Sequence, residues 1–535
     1  MKTNLLIIIF IAGFAALSAQ ETKQQQTTPE PLELPSFIIQ GTLQLNVNSG
    51  VKQNPERPRS LSAGELDSLN SLEKQNSQPL PVEPLITNTV NYQPKAGFVQ
   101  AQFGRFTTGQ IDAGYGTEIG GYNIYCSAGY ENSQGHLSNA DFSKFYANIS
   151  SDYIAPSKFF IFGGSRTHTT IEYKNNSYNL FGNPLSLNRD MNNFSTKVDV
   201  DGNYLGVKYE TGAGFNGIQI ITDNFKNADN NIYGYLQVHN IWNNLLVAGN
   251  VIIDLHTLRG QSVNFMQADG MISLFSKSLS LTGKAGLQWA INSDGIDRGG
   301  LLIAGELEYR MNKLFTVRAD IRSGLEKRSF REYTEENPYI SNMAVFDYAY
   351  DIMNLGGYLI FHPNEYMGIS AGLRIRSTER SPVFTPDLLY YPGSFDIRYE
   401  NISKISSMFE AYWYITPNDK LIGNFTAVSS SLNDFTDKNV PYVPEIKLSV
   451  DFKKIWLPDF GTNFGIDYIG ERFADVQNTV KLDSYINLRV EGNYKIYDGL
   501  RLFLRFDNLL NADIYVWEGY RERNVFVSFG AMWQF

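Results

Sequence analysis

The sequence predicts an all-β fold: a transmembrane antiparallel β-barrel of about 22 strands, with short periplasmic turns and longer extracellular loops. Three observations predict it. The first is period-two alternation from Gly97 to the C-terminus. In the last stretch, Ile486, Leu488, Val490, Tyr494 and Ile496 share one face, and Asn487, Arg489, Glu491, Asn493 and Lys495 share the other. Leu500, Leu502, Leu504 and Phe506 then alternate with Arg501, Phe503, Arg505 and Asp507. Side chains of a strand point alternately to opposite faces, so this pattern describes a sheet between two different environments. The charged face is too polar for a packed core. The second observation is the end of the chain: Val525, Val527, Phe529, Ala531, Trp533 and Phe535 line one face of a final strand that stops on an aromatic. Left as an edge, such a strand would aggregate; closing it onto the first strand removes the edge. The third is that no apolar run long enough for a membrane helix follows the N-terminus.

Composition agrees. Aromatic residues make up 14% of the 535, with 32 Tyr and 35 Phe, a load that suits the aromatic girdles of a barrel. Mean hydropathy is −0.26, as expected when only alternate residues meet lipid. The net charge of −10 argues against nucleic acid as a partner.

The elements follow in order. Lys2, the apolar run Leu5–Leu17 and Ser18-Ala19-Gln20 read as a signal peptide over residues 1–19. Residues 20–95 read as a periplasmic linker with one short helix. Ser62-Ala63-Gly64-Glu65 is a capping box, Leu66, Leu69 and Leu72 form a stripe, and Pro79, Pro81 and Pro84 end the segment. This segment is either a periplasmic tail or an insert into the lumen. Residues 96–535 are the barrel. The clearest hairpin is Leu302–Arg322: Ile303, Gly305, Leu307, Tyr309 and Met311 oppose Ala304, Glu306, Glu308 and Arg310, and Phe315, Val317, Ala319 and Ile321 oppose Thr316, Arg318, Asp320 and Arg322. Met367, Ile369, Ala371, Leu373 and Ile375 form another face, with Arg374 and Arg376 opposite.

Short turns are expected near Ile119-Gly120, Pro156-Ser157, Thr211–Gly214, Asn243-Asn244, Lys277-Ser278, Asn312, Pro363-Asn364, Pro417-Asn418, Pro458-Asp459 and Asp498-Gly499. Longer segments are expected near 131–141, 173–191, 223–231, 290–300, 325–349, 377–403, 430–441, 471–480 and 511–523, with two brief reversals near 106–109 and 258–262. About ten turns on one side and about eleven loops on the other bring both barrel ends to the periplasm.

The run Asn508-Leu509-Leu510-Asn511-Ala512-Asp513-Ile514-Tyr515, followed by Gly519-Tyr520, Arg523, Gly530 and the terminal Phe535, resembles the C-terminal end of TonB-dependent outer-membrane receptors. The match covers about the last tenth of the chain. It implies an outer membrane of a diderm bacterium, a TonB-type energiser as partner, and an assembly signal at Phe529, Trp533 and Phe535 read by the barrel-assembly machinery. The sequence departs from that family before the barrel. Residues 21–95 are too few for its plug domain, and no TonB-interaction box is evident.

Other motifs point to no chemistry. Asp199-Val200-Asp201-Gly202-Asn203 starts like a calcium loop but lacks the downstream Glu. Ser165-Arg166-Thr167-His168 has no partner spacing for zinc. No nucleophile elbow, phosphate loop or H-E-x-x-H is present, so no catalytic residue, metal ligand or cofactor is assigned. The two longest loops carry aromatics beside charges, a composition that suits ligand recognition. The candidates are Phe330, Tyr333, Tyr339, Phe346 and Tyr348 in one, and Phe384, Tyr390, Tyr391, Phe395 and Tyr399 in the other. The alternative is that they pack against one another. The expected function is binding or uptake of an external solute. A non-transporting scaffold for a surface or periplasmic partner, and a passive porin, are the alternatives.

Overall fold

The computed structural model describes residues 96–223, 225–387 and 391–535; the signal-peptide, linker and short-helix readings lie outside them. Twenty-two strands form one sheet, each paired antiparallel with its neighbours. The sheet closes: the first strand, Gly97–Gly104, pairs with the last, Phe526–Gln534, in the register Phe98↔Gln534 to Gly104↔Ser528. Closure satisfies the backbone groups that an edge would leave bare in lipid.

The alternation reads out as lipid against lumen. Val99 and Phe103 are exposed on the outside, while Gln100 and Gln102 between them are buried inside. Leu301 and Ile303 face out, and Glu308 lies on the inner row, where Arg318 of the next strand donates to it at 3.2 Å. Lumen charges pair across strands: Arg489 with Asp467 at 2.9 Å, Arg505 with Glu491 at 2.7 Å, Arg374 with Asp320 at 2.8 Å. Each cation thus has a carboxylate in place of the water it gave up. Such partly exposed pairs contribute about 0.2–1 kcal/mol each.

Both ends of the barrel, Gly97 and Phe535, lie at the end with ten connections; the other eleven lie opposite. Most turns fall where expected, including those at Gly120-Gly121, Asn243-Asn244 and Asp498-Gly499. Four readings are corrected. Thr211–Gly214 is not a turn but the middle of the strand Val207–Thr222, and the reversal is at Leu205-Gly206. The glycines there make room for rings: a Cβ on Gly212 would sit 2.4 Å from the Tyr235 ring, and one on Gly214 would sit 2.4 Å from that of Tyr233. Pro156-Ser157 opens a longer connection, residues 155–165, with a turn of 3-10 helix at Phe160–Phe162. Residues 223–231 are mostly strand, because Phe225–Trp242 starts almost at once. Most of 377–403 is strand as well: Met367–Pro386 has 20 residues and Phe395–Thr416 has 22. A bilayer needs only about 9–11 residues per strand, so these two strands project beyond it.

Candidate functional site

Residues 326–349 fold inward across the mouth opposite the end where Gly97 and Phe535 meet. Their course is fixed at the start by Gln288, whose side chain accepts from Leu325 N at 2.6 Å and donates to Leu325 O at 3.1 Å. Lys327 then pairs with Asp254, a fully buried inner-row carboxylate 2.5 Å from His256 Nε2. A short helix follows, Phe330–Glu336, capped reciprocally. Ser329 Oγ accepts from Glu332 N at 3.2 Å, and Glu332 accepts from Ser329 N at 2.6 Å. The sequence pattern predicts only a loop over 325–349, yet Ser329-x-x-Glu332 is a capping-box signal.

Beyond the helix the backbone is irregular and buried, so its carbonyls need donors. Wall arginines supply them. Arg189 is fully buried and donates to Pro338 O at 3.1 Å, Ile340 O at 2.7 Å and Asn342 Oδ1 at 3.2 Å. Arg259 donates to Met343 O at 3.1 Å and Ala344 O at 3.2 Å. Asn227 donates to Asn342 O at 2.9 Å, and Arg298 holds Asp347 at 2.8 Å. On the far side, Ile340 bridges to Phe395, Ser341 Oγ donates to Asp387 at 2.8 Å, and Tyr399 Oη donates to Val345 O at 3.3 Å. Arg331 reaches Glu172 at 3.3 Å. Glu172 and Tyr399 belong to the strands Arg166–Asn179 and Phe395–Thr416, which stand on opposite sides of the ring of 22. The segment therefore spans the mouth.

The candidate aromatics meet in one cluster. Phe330, Tyr333, Phe346, Tyr348, Phe384 and Phe395 are buried together. Tyr333 is edge-on to Phe346 at 5.6 Å, and Phe346 to Tyr348 at 5.2 Å. Phe384 and Phe395 each lie 5.3 Å from Trp517. Tyr339 and Tyr399 pack against the cluster, and Tyr339 stacks on Tyr520 at 3.5 Å. Tyr391 sits apart, 5.8 Å from Phe225; Tyr390 lies outside the described residues. Sequence reasoning missed Trp517, Tyr520 and Tyr442, contributed by other loops, and the arginines Arg189 and Arg259. Nothing local marks those arginines, because their partners lie far along the chain. The loop residue Glu522 belongs to this assembly. Burial pushes its carboxyl up to about 7, with Arg523 and Lys144 only partly offsetting the effect. Among the described residues no group of three or more His, Cys, Asp or Glu is placed to hold a metal ion.

No family model matches the chain, and no curated protein matches it. Solved structures do. The FrpB iron transporter of Neisseria meningitidis (F5-1 variant) superposes with a TM-score of 0.65 at 10% identity, over 82% of this chain and 82% of that one. The copper transporter OprC gives 0.64 at 12% identity, over 82% and 80%. The ferric yersiniabactin uptake receptor FyuA of Yersinia pestis gives 0.64 at 9% identity, over 83% and 81%. The fold is that of a TonB-dependent receptor barrel. A closed barrel with this apolar exterior belongs in the outer membrane. The receptor-like C-terminal residues have structural work in this barrel. Asn508, in a left-handed conformation (φ 48°), donates to Ala512 O at 2.8 Å and Arg523 O at 3.0 Å, and accepts from Ala512 N at 2.8 Å. That side chain closes the base of the last loop. Phe529, Trp533 and Phe535 all face outward and are exposed.

Proposed function

We propose that this chain is a receptor-like barrel of the outer membrane that binds or takes up an external solute, and that residues 326–349 form its gate. The observation that carries this reading is the inward course of that segment across the extracellular mouth. A barrel of 22 strands would otherwise leave a wide pore, which a membrane barrier cannot tolerate. The aromatic candidates become a solute-binding surface only when the segment moves, so recognition and opening are one event. The free energy of binding must then exceed that of the packing it replaces.

The proteins of similar fold named above are an iron transporter, a copper transporter and a ferric yersiniabactin uptake receptor. Those cargoes guide the choice of solutes to test here. A TonB-type energiser is the natural drive for opening, acting from the periplasmic side. The burial of the aromatics also suits a scaffold that never opens. The test is single-channel conductance in planar bilayers. Full-length protein should stay near closed, and a variant with residues 327–348 replaced by a short Gly-Ser linker should conduct strongly. Equal conductance would defeat the gate. Strong conductance after excision but no solute that protects the native gate from protease would favour the scaffold.

A further inference from the structure

At the opposite rim, we propose that residues 155–165 form a foot that inserts into the periplasmic leaflet of the bilayer, with phospholipid as its partner. Neighbouring connections at this end are tight turns, whereas this one is long and carries Lys158-Phe159-Phe160-Ile161-Phe162. It leans on the outside of the wall. Tyr209 Oη donates to Ile161 O at 2.9 Å, and the Phe162 ring stands edge-on to Tyr209 at 6.3 Å. Tyr209 is registered opposite Gly202, and a Cβ on Gly202 would lie 3.0 Å from that of Ser165. Gly202 shares its row with Phe194 and Val198, which are exposed to lipid, whereas Arg189, Met191 and Asn193 of the same strand face in. The loop therefore continues the lipid-facing surface and not the lumen.

Its tip is open. Phe160 is 84% exposed and Phe159 59%, and Leu205, at the tip of the hairpin on which the loop leans, is 86% exposed. Phe160 and Leu205 also have left-handed backbones, φ 47° and 52°. Such positions favour Gly or Asn, and the comparable turn residue with φ 54° at this rim is Asn243. Water would select a polar residue there; an apolar leaflet explains Phe and Leu. The outward Tyr122–Tyr153 stack, 4.3 Å between centroids, marks the aromatic girdle beside the foot. Exposed Lys158 next to the phenylalanines suits lipid phosphates.

The experiment places a nitroxide at position 160. The single cysteine, Cys126, is first changed to serine, and Phe160→Cys is labelled in full-length protein in phosphatidylethanolamine–phosphatidylglycerol vesicles. Asn243→Cys, on a tight turn at the same rim, is the reference, and heat-modifiable migration confirms folding of both. Power saturation should show the label at 160 relaxed mainly by oxygen, which partitions into lipid, with at least several-fold less access to a water-soluble nickel chelate than the label at 243. Equal chelate access at the two positions would overturn the proposal and leave the patch open to a periplasmic protein instead.

Discussion

The barrel wall and the mouth are built by different rules. In the wall, each residue's environment follows from its parity: Gln100 and Gln102 face in, Val99 and Phe103 face out, and neighbours in space are neighbours by register. In the mouth, the contacts that anchor the inward segment to the wall join residues far apart in the chain. Arg189 and Ile340 are 151 positions apart, and Tyr520 and Gly393 are 127. The wall is held by a repeated backbone ladder that tolerates many single changes. The mouth is held by a few donors, of which Arg189 and Arg259 each serve two carbonyls. A local pattern can therefore specify the wall, and only the folded chain assembles the mouth.

The wall should show the most severe losses. Deleting Phe535 should give the largest effect. Phe535 exchanges backbone hydrogen bonds with Gly97, N to O at 2.9 Å and 3.0 Å, and its ring lies against that glycine. The expected outcome is loss of the folded, heat-modifiable band with little change in synthesis. Unchanged folding would show that closure does not depend on this residue. Next comes Leu307→Arg, on the lipid row, which should cost about 2–4 kcal/mol if near the midplane. Glu306→Arg, one step along on the lumen row, should cost far less, as measured by urea unfolding in vesicles. Equal costs would contradict the assigned faces.

The mouth should respond differently. Arg189→Leu leaves Ile340 O without its donor and Pro338 O with Tyr178 Oη alone, at a cost of about 1–3 kcal/mol for an orphaned buried group. The band shift on heating should persist, because the ladder is intact, while residues 326–349 become sensitive to added protease and conductance rises. Loss of the folded band would show that wall and mouth are not separable.

How much was legible follows from the same contrast. The hairpin Leu302–Arg322 and the closing strands could be read residue by residue because alternation is a local property. Reading failed where a local signal had a distant cause. Gly212 and Gly214 look like a turn but are hollows for Tyr235 and Tyr233 of the next strand. The aromatics of 325–349 were legible as a set, yet their convergence on Trp517 and Tyr520 was not, because no periodicity links loops that meet only in three dimensions. The capping box at Ser329 is a local signal and marks the helix Phe330–Glu336.

The smallest expected effect is a dependence on pH confined to the mouth. Glu522 lies in the loop between the last two strands, and its carboxyl is raised to about 7 by burial. A carboxyl raised in the folded state is protonated there at pH values where the unfolded loop would already be ionised. Its contribution to loop packing is thus fully present below about 4.5, the ordinary range for Glu. That contribution falls as pH rises and is lost above about 7. Amide exchange of residues 508–525, corrected for intrinsic rates, should therefore speed up between pH 5 and 8, while exchange in the strand Gly97–Gly104 stays flat. Glu522→Gln removes the titration and should flatten the loop's profile at the slow, acid-like level. A profile that keeps its slope in Glu522→Gln would place the pH response on another group, and a parallel change in the wall would deny that the mouth titrates independently of the barrel.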